Sequence, residues 1–358
     1  MMLISTGKPT KSFRKGAIRM TIQEVWTKAR EVMGPKCRVC PECDGRACRG
    51  EIPGVGGMGS GSSFTVCREY LKRVKVLMDL VYEPSEIDTS MELLGRRFDV
   101  PFFMAPIGGM DSNYNGYLTD EAFADMTIRG MVDSGSLSFT PDAFYDSLYE
   151  LQLPIIKDVG GVAIPTVKPW ALPRLMEKIR QAEDVNALAV ACDIDSCGNL
   201  LLKKAGKPVY PISQEGMGRI VNSTRLPFIP KGIMTPAAAR RCADAGCYGI
   251  VVSSHGGRVM EDSPAPCSML PEIREAVGTR LKIFVDGGIR SGMDVFKCLA
   301  LGADAVLIGR PYVVAVHGGG REGVVLYSQK IRNELRDAMV MTGCKSLSDI
   351  TRDKIRVQ

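Results

Sequence analysis

From about residue 95 onward, short apolar runs alternate with amphipathic stretches, and no other feature constrains the fold as much. The runs are PFFMAPIG (101–108), SLSFT (136–140), one within PIIKDVGGVAIPTV (154–167) and ALAVACDID (187–195). They continue with PFIPKGI (227–233), GIVVSS (249–254), KIFVDGG (282–288) and AVLIGR (305–310). Strands buried on both faces read as continuous apolar runs, and parallel strands need helix-length crossovers between them. Helical patterns fill the gaps, among them ALPRLMEKIRQAE, PAAARRCADAG and GMDVFKCLALGA. The last two end at Gly246 and Gly302, as helix C-termini commonly do. Eight strands, most followed by a helix, predict an α/β fold of the (β/α)8 TIM-barrel type. A doubly wound open sheet is the competing architecture. The strand count and the chemistry at the strand ends favour the barrel. Residues 321–342 read as a closing helix.

Composition narrows the classes. With 358 residues, 45% of them hydrophobic, the chain can bury a large core. A net charge of +6 is mild for this length, and no Lys/Arg stripe interleaves with aromatics, so nucleic acid is not an expected partner. No apolar stretch approaches the roughly 20 residues of a membrane span. Twelve cysteines without a secretory h-region point to reduced thiols in a cytoplasmic protein. Residues 1–19 (MMLISTGKPTKSFRKGAIR) are basic and lack acids. They read as a disordered extension or an upstream start, ahead of a helical pattern that opens at Met20; a targeting peptide is the alternative. Residues 20–70 form a Cys- and Gly-rich segment, and 71–358 the barrel. Within that segment, GEIPGVGGMGSGSS (50–63) cannot be a regular helix. It either separates an N-terminal module or folds over the barrel mouth.

Barrel active sites form at the C-terminal ends of the strands, with phosphate often bound after strands seven and eight. Strand seven ends in Asp286-Gly287-Gly288-Ile289-Arg290, and strand eight in Gly309-Arg310. Glycine backbone can approach phosphate oxygens closely, and each arginine adds a charge-assisted fork. Strand six ends in His255, followed by Gly256-Gly257, which leave space around it, and then Arg258. This suits a base beside a carboxylate clamp. Lys231, at the end of strand five, is placed to stabilise negative charge. Asp193 or Asp195, at the end of strand four, is placed to orient His255. His317 in VHGGG reads as a loop or structural residue.

A second cluster lies near the N-terminus, where Cys37, Cys40, Cys43 and Cys48 fall within a dozen residues. Their spacing is similar to a ferredoxin-type iron–sulfur run, except at the last interval. The same four sulfurs would satisfy zinc, and unligated reduced thiols are the plain reading. An iron–sulfur centre would favour a dehydrogenase over an oxidase.

The blocks SSHGGRVMEDSPAPCSMLPEI and VDGGIRSGMDVFKCLALGADAVLIGRP, with the tail MVMTGCKSLSDI, resemble the FMN-dependent α-hydroxy-acid oxidases and dehydrogenases, the group of glycolate and lactate oxidases. The resemblance covers about residues 70–355, including DTSMELLGRRFDVPFFMAPIGG and PKGI. It implies FMN on the barrel, with its phosphate held by Gly288, Arg290, Gly309 and Arg310 beside Asp286, Gly287 and Ile289. Ala105, Pro106 and Ile107 would lie along the ring, Ser138 and Ser253 would supply polar contacts, and Lys231 would face the pyrimidine part. It further implies that His255 is the catalytic base and that Arg258 binds the carboxylate of a small 2-hydroxy acid; with the strand-end reading, Asp193 and Lys231 join His255 as the expected catalytic residues. The assembly is expected to be a homo-oligomer.

The departures are specific. A second substrate arginine after strand four is replaced by Asp195-Ser196-Cys197-Gly198-Asn199. A glutamine and a tyrosine at strand three are replaced by Ile164-Pro165-Thr166-Val167-Lys168. Arg219, Arg225 and Lys168 are candidates to supply the missing groups. Two competing readings remain: a flavin-dependent isomerase resembling type 2 isopentenyl diphosphate isomerase, and a non-catalytic flavin or metal redox sensor.

Overall fold

The computed structural model describes residues 20–358; the expectations for residues 1–19 lie outside the described residues. Eight parallel strands close into a barrel in chain order. We number them β1 (Phe102–Met104), β2 (Ser138–Thr140), β3 (Ala163–Val167), β4 (Val190–Asp193), β5 (Phe228–Lys231), β6 (Gly249–Val252), β7 (Lys282–Val285) and β8 (Ala305–Ile308). Each falls inside one of the eight apolar runs. β8 pairs with β1 through Val306–Phe102, Leu307–Phe103 and Ile308–Met104, so the sheet has no edge.

Strand periodicity sorts the side chains. Phe103, Phe139, Ile164, Ala191, Ile229, Val251, Phe284 and Leu307 fill the barrel interior. Their neighbours, such as Met104, Val190, Val252 and Ile308, face the surrounding helices. Phe284 meets Phe139 edge-on, with ring centroids 5.7 Å apart. Truncating Phe284 to alanine would cost about 3–5 kcal/mol in lost contacts and cavity. A short hairpin, Met91–Leu93 paired with Arg96–Phe98, plugs the N-terminal floor by setting Phe98 edge-on to Phe103 at 5.5 Å. The floor is sealed, and the cavity opens at the other end.

The first residues pack against the last. Helix α1 (Ile22–Met33) begins with a capping box between Thr21 and Glu24. Its buried face, Val25, Ala29 and Met33, packs against the helix Arg310–Val340. Contact is so close at Gly318 that a Cβ there would lie 1.9 Å from the Val25 carbonyl oxygen. The closing helix expected over 321–342 therefore starts earlier, at Arg310, and HGGG lies inside it with a kink at Gly320. His317 is a buried helix residue with Nδ1 2.8 Å from the Val313 carbonyl oxygen, which fits the structural and not the loop alternative.

Between α1 and the barrel, the glycine-rich stretch crosses the mouth. Met58 N–H donates to the Gly257 carbonyl (2.7 Å) and Ser60 N–H to Glu261 Oε1 (2.7 Å). Helix α2 (Ser62–Arg73) follows beside the β6 and β7 loops. Val39, Val55 and Leu71 join the same core as the barrel's outer face. A strand at Val74–Val76 pairs antiparallel with Ile355–Val357. Among the described residues, no helix is long and apolar enough to cross a membrane.

Candidate active site

Two residues beyond each interior core position, the same periodicity places one side chain in a ring at the barrel mouth. Ala105, Pro141, Thr166, Asp193, Lys231, Ser253, Asp286 and Gly309 occupy it by this spacing. The ring is held by ion pairs. Asp193 lies between Lys168 Nζ (2.7 Å) and Lys231 Nζ (2.9 Å), and β4–β5 register sets Asp193 directly opposite Lys231. Burial opposes the Asp193 charge, yet Lys168 and Lys231 hold its carboxyl well below the usual range. Burial likewise opposes the Lys231 cation, but Asp193, Asp195 and Asp286 prevail and raise its pKa. Lys231 is thus a fixed positive charge beneath the mouth.

His255 belongs to the turn after β6, in a left-handed backbone conformation (φ 54°) that only a constrained segment imposes on a histidine. Its backbone N–H donates to Ser253 Oγ (3.0 Å), and Ser253 Oγ in turn donates to Asp286 Oδ2 (2.8 Å). Its ring nitrogen Nδ1 lies 2.8 Å from Asp195 Oδ1. The sequence offered two carboxylates for this contact, and Asp195, not Asp193, makes it; Asp193 Oδ1 is 3.8 Å away. A 3-10 turn, Ile194–Gly198, carries Asp195 toward His255, while Asp193 still follows the strand into the lysine pair. Gly256 and Gly257 do not leave open space. A Cβ on Gly256 would meet Arg310 Nη1 at 2.7 Å, and one on Gly257 would meet the Phe64 nitrogen at 2.6 Å. These glycines let the arginine and α2 close in beside the histidine.

Arg258, Arg290 and Arg310 all line the mouth cavity with His255, and among the described residues none has a carboxylate partner. Arg258 donates to the carbonyls of Gly54 and Gly56 and to Asn113 Oδ1 (3.0 Å). Arg310 donates to the carbonyls of Val55 (2.8 Å) and Gly256 (3.0 Å), and Arg290 to that of Cys43 (3.0 Å). The expected clamp and phosphate arginines therefore also tie down the N-terminal segment. Burial, then the neighbouring Arg310, lowers the Arg258 pKa to about 10. A half-buried cation without a counter-charge favours an anionic ligand.

The other expected residues divide. Ala105, Ile107, Asp286, Gly287, Gly288, Ile289 and Gly309 line the cavity. Pro106 does not, because alternation turns it away from Ala105 and Ile107. Ser138 is misassigned: its hydroxyl donates to the Thr127 carbonyl (3.3 Å) on a surrounding helix, outside the barrel. Ser253 supports His255 and Asp286 rather than lining the cavity. Of the three cationic substitutes, only Lys168 reaches the mouth. Arg225 binds Glu183 and Asn186, and Arg219 lies on the outer helix Gln214–Asn222. Thr166 and Asn113 were not singled out in the sequence, and only strand phase points to Thr166.

The cavity suits a polar, phosphorylated cofactor. Thr166 Oγ1 and Asp286 Oδ1 are buried without a hydrogen-bond partner. Such an atom costs about 1–3 kcal/mol unless a ligand satisfies it. Gly287 and Gly288 are left-handed (φ 100° and 81°), and a Cβ on Gly288 would lie 2.8 Å from the Cys67 backbone. Cys37, Cys40, Cys43 and Cys48 are free thiols around a neighbouring cavity. Burial, foremost, pushes the Cys37 thiol up to about 11.

Known proteins match this architecture. A family model described as FMN-dependent dehydrogenase matches residues 203–357. The 4-hydroxymandelate oxidase of Amycolatopsis orientalis is 29% identical over 351 residues, covering 84% of this chain and 94% of that protein. An L-lactate oxidase of Alicycliphilus denitrificans is 48% identical over 136 residues, 38% of this chain and 37% of that oxidase. Among solved structures, mandelate oxidase with (S)-2-phenylpropionate has a TM-score of 0.76 at 28% identity, covering 94% of this chain and 98% of that one. A mandelate oxidase mutant with the monooxide FMN adduct is 31% identical, with a TM-score of 0.72 and coverage of 88% and 98%.

Proposed function

This chain belongs to the family of FMN-dependent α-hydroxy-acid oxidases and dehydrogenases, and from that premise we propose that it oxidises a small 2-hydroxy acid to the 2-oxo acid. The observation that carries the reading is the His255–Asp195 pair on the same cavity as Arg258, a half-buried arginine with no carboxylate partner among the described residues. FMN, when bound, supplies the two-electron acceptor. Gly287, Gly288, Arg290, Gly309 and Arg310 are the residues to hold its phosphate, and Ala105 and Ile107 to lie along its ring, above the Lys231 cation.

The protein's own part follows from geometry. Asp195 accepts a hydrogen bond from Nδ1–H of His255, which leaves the Nε2 lone pair to take the substrate proton. The same carboxylate then stabilises the imidazolium. Arg258 offers a planar fork to the substrate carboxylate and fixes the reacting carbon relative to His255. Lys168, at the β3–β4 side of the cavity, is the remaining cation within the substrate's reach. A histidine–carboxylate pair sharing a cavity with an unpaired arginine has no evident use in the isomerase reading, and the sensor reading leaves it idle.

The test is anaerobic mixing of the FMN-loaded protein with 2-hydroxy acids from glycolate to mandelate. Bleaching of the flavin absorbance by at least one of them is the expected result. A protein that binds FMN but is reduced by none of them would be a binding protein, and one that cannot bind FMN would sink the proposal.

A further inference from the structure

The reaction proposed above leaves the four N-terminal cysteines without a role. Cys37, Cys40, Cys43 and Cys48 surround one cavity of about 390 Å³, walled by α1, the helix Arg310–Val340 and the two phosphate-loop arginines. We propose that this cavity is the site of a four-iron, four-sulfide cluster ligated by Cys37, Cys40, Cys43 and Cys48.

One observation favours a polynuclear cluster over a single ion, and two more fit a thiolate-ligated centre of net negative charge at this place. First, zinc with Zn–S bonds of about 2.3 Å would gather four sulfurs to within about 3.8 Å of one another. Among the described residues, the set of three or more His, Cys, Asp or Glu whose ligand atoms lie within 4.8 Å of one another is Asp193, Asp195 and His255, not the cysteines. The thiols border an open cavity instead. Second, donors already face the sulfurs. Val39, a β-branched residue held in the left-handed region (φ 44°), points its N–H at Cys37 Sγ (3.5 Å), and Arg290 Nη2 lies 3.6 Å from Cys43 Sγ. Hydrogen bonds to cluster sulfurs set the reduction potential in such centres. Third, a cluster held by four thiolates carries net negative charge, and Arg290 and Arg310 border the cavity without carboxylate partners among the described residues. Both arginines, with Tyr114, also line the mouth cavity, so they form a common wall between the two sites.

The test uses the full chain expressed with iron and cysteine and purified without oxygen. Expected are about four iron and four acid-labile sulfide per chain and a paramagnetic signal after dithionite reduction. That signal should vanish in Cys43→Ser and persist in Cys197→Ser, which alters a cysteine outside the loop. FMN content and thermal unfolding show whether Cys43→Ser is folded, and the metal and sulfide analysis of the unaltered protein decides the matter if it is not. One zinc per chain, two iron per chain, or no metal after anaerobic purification would each overturn the assignment. None of these readings depends on which hydroxy acid is oxidised.

Discussion

The two sides of the barrel mouth differ in origin. The side built by β6, β7 and β8 presents His255, Arg258 and the two glycine–arginine turns, and it lies wholly within the residues matched by the family model. The side built by β3 and β4 lies before that match and presents Thr166, Lys168 and Asp195, with Ser196 accepting from Lys168 Nζ at 3.1 Å. The first side repeats a known pattern of cofactor cradle and base. The second is rebuilt around a lysine–aspartate–lysine group. The difference suggests a division of labour in which one edge of the ring fixes the reaction type and the other selects the substrate.

The largest expected effect tests the first side. His255→Ala should slow anaerobic flavin reduction by about 10³-fold while FMN content stays unchanged. Reduction at the original rate would remove the base from that side. Next, the two carboxylates of β4 should separate. Asp195→Asn should slow reduction by about 10²-fold with little change in the urea midpoint. Asp193→Asn leaves Lys168 and Lys231 without their shared counter-charge and should lower stability by about 3–5 kcal/mol in urea unfolding. If both variants lose activity alone, Asp193 has a chemical role that the geometry does not give it. A smaller effect probes the second side: Lys168→Met should raise KM about tenfold for the preferred hydroxy acid and leave FMN affinity intact. A weakened FMN affinity instead would merge the two sides.

The smallest effect concerns the scaffold behind the first side. His317 sits among Tyr114, Tyr117 and Phe123, and burial lowers its pKa below the usual 6.5. In the unfolded chain it takes up a proton near pH 6.5 while the folded protein does not. Its contribution to stability is therefore complete above that pH and declines as pH falls toward the folded value. The slope is at most about 1.4 kcal/mol per pH unit, and His317→Phe should flatten it in urea titrations between pH 5 and 7. An unchanged slope would place the titrating group elsewhere.

Much of this was legible before the structure. Seven strands announced themselves as apolar runs, whereas the third lay in a longer run whose first part is the helix Leu153–Asp158; His255, Arg258 and Asp286 follow from where the runs stop. Ser138 failed because its strand is three residues long, too short for the sequence to reveal which face points inward. The choice between Asp193 and Asp195 depended on a turn that reverses direction within two residues. The arginines' bonds to the carbonyls of Cys43, Val55 and Gly56 join residues more than 200 positions apart, and no local pattern encodes such a pairing. Asn113 carries no signal of its own, and Thr166 only its phase along the strand. Their roles arise from what the barrel brings near them.

The pairing of the chain's beginning with its end has a consequence for synthesis. α1 and the cysteine loop are synthesised before Arg290, Arg310 and the helix Arg310–Val340 that receive them. That segment waits for partners 247 and 255 positions further along the chain. Such long-range closure slows folding and leaves the nascent chain open to misassociation in the interval. Completion of the mouth thus follows synthesis of the helix Arg310–Val340, which seats α1.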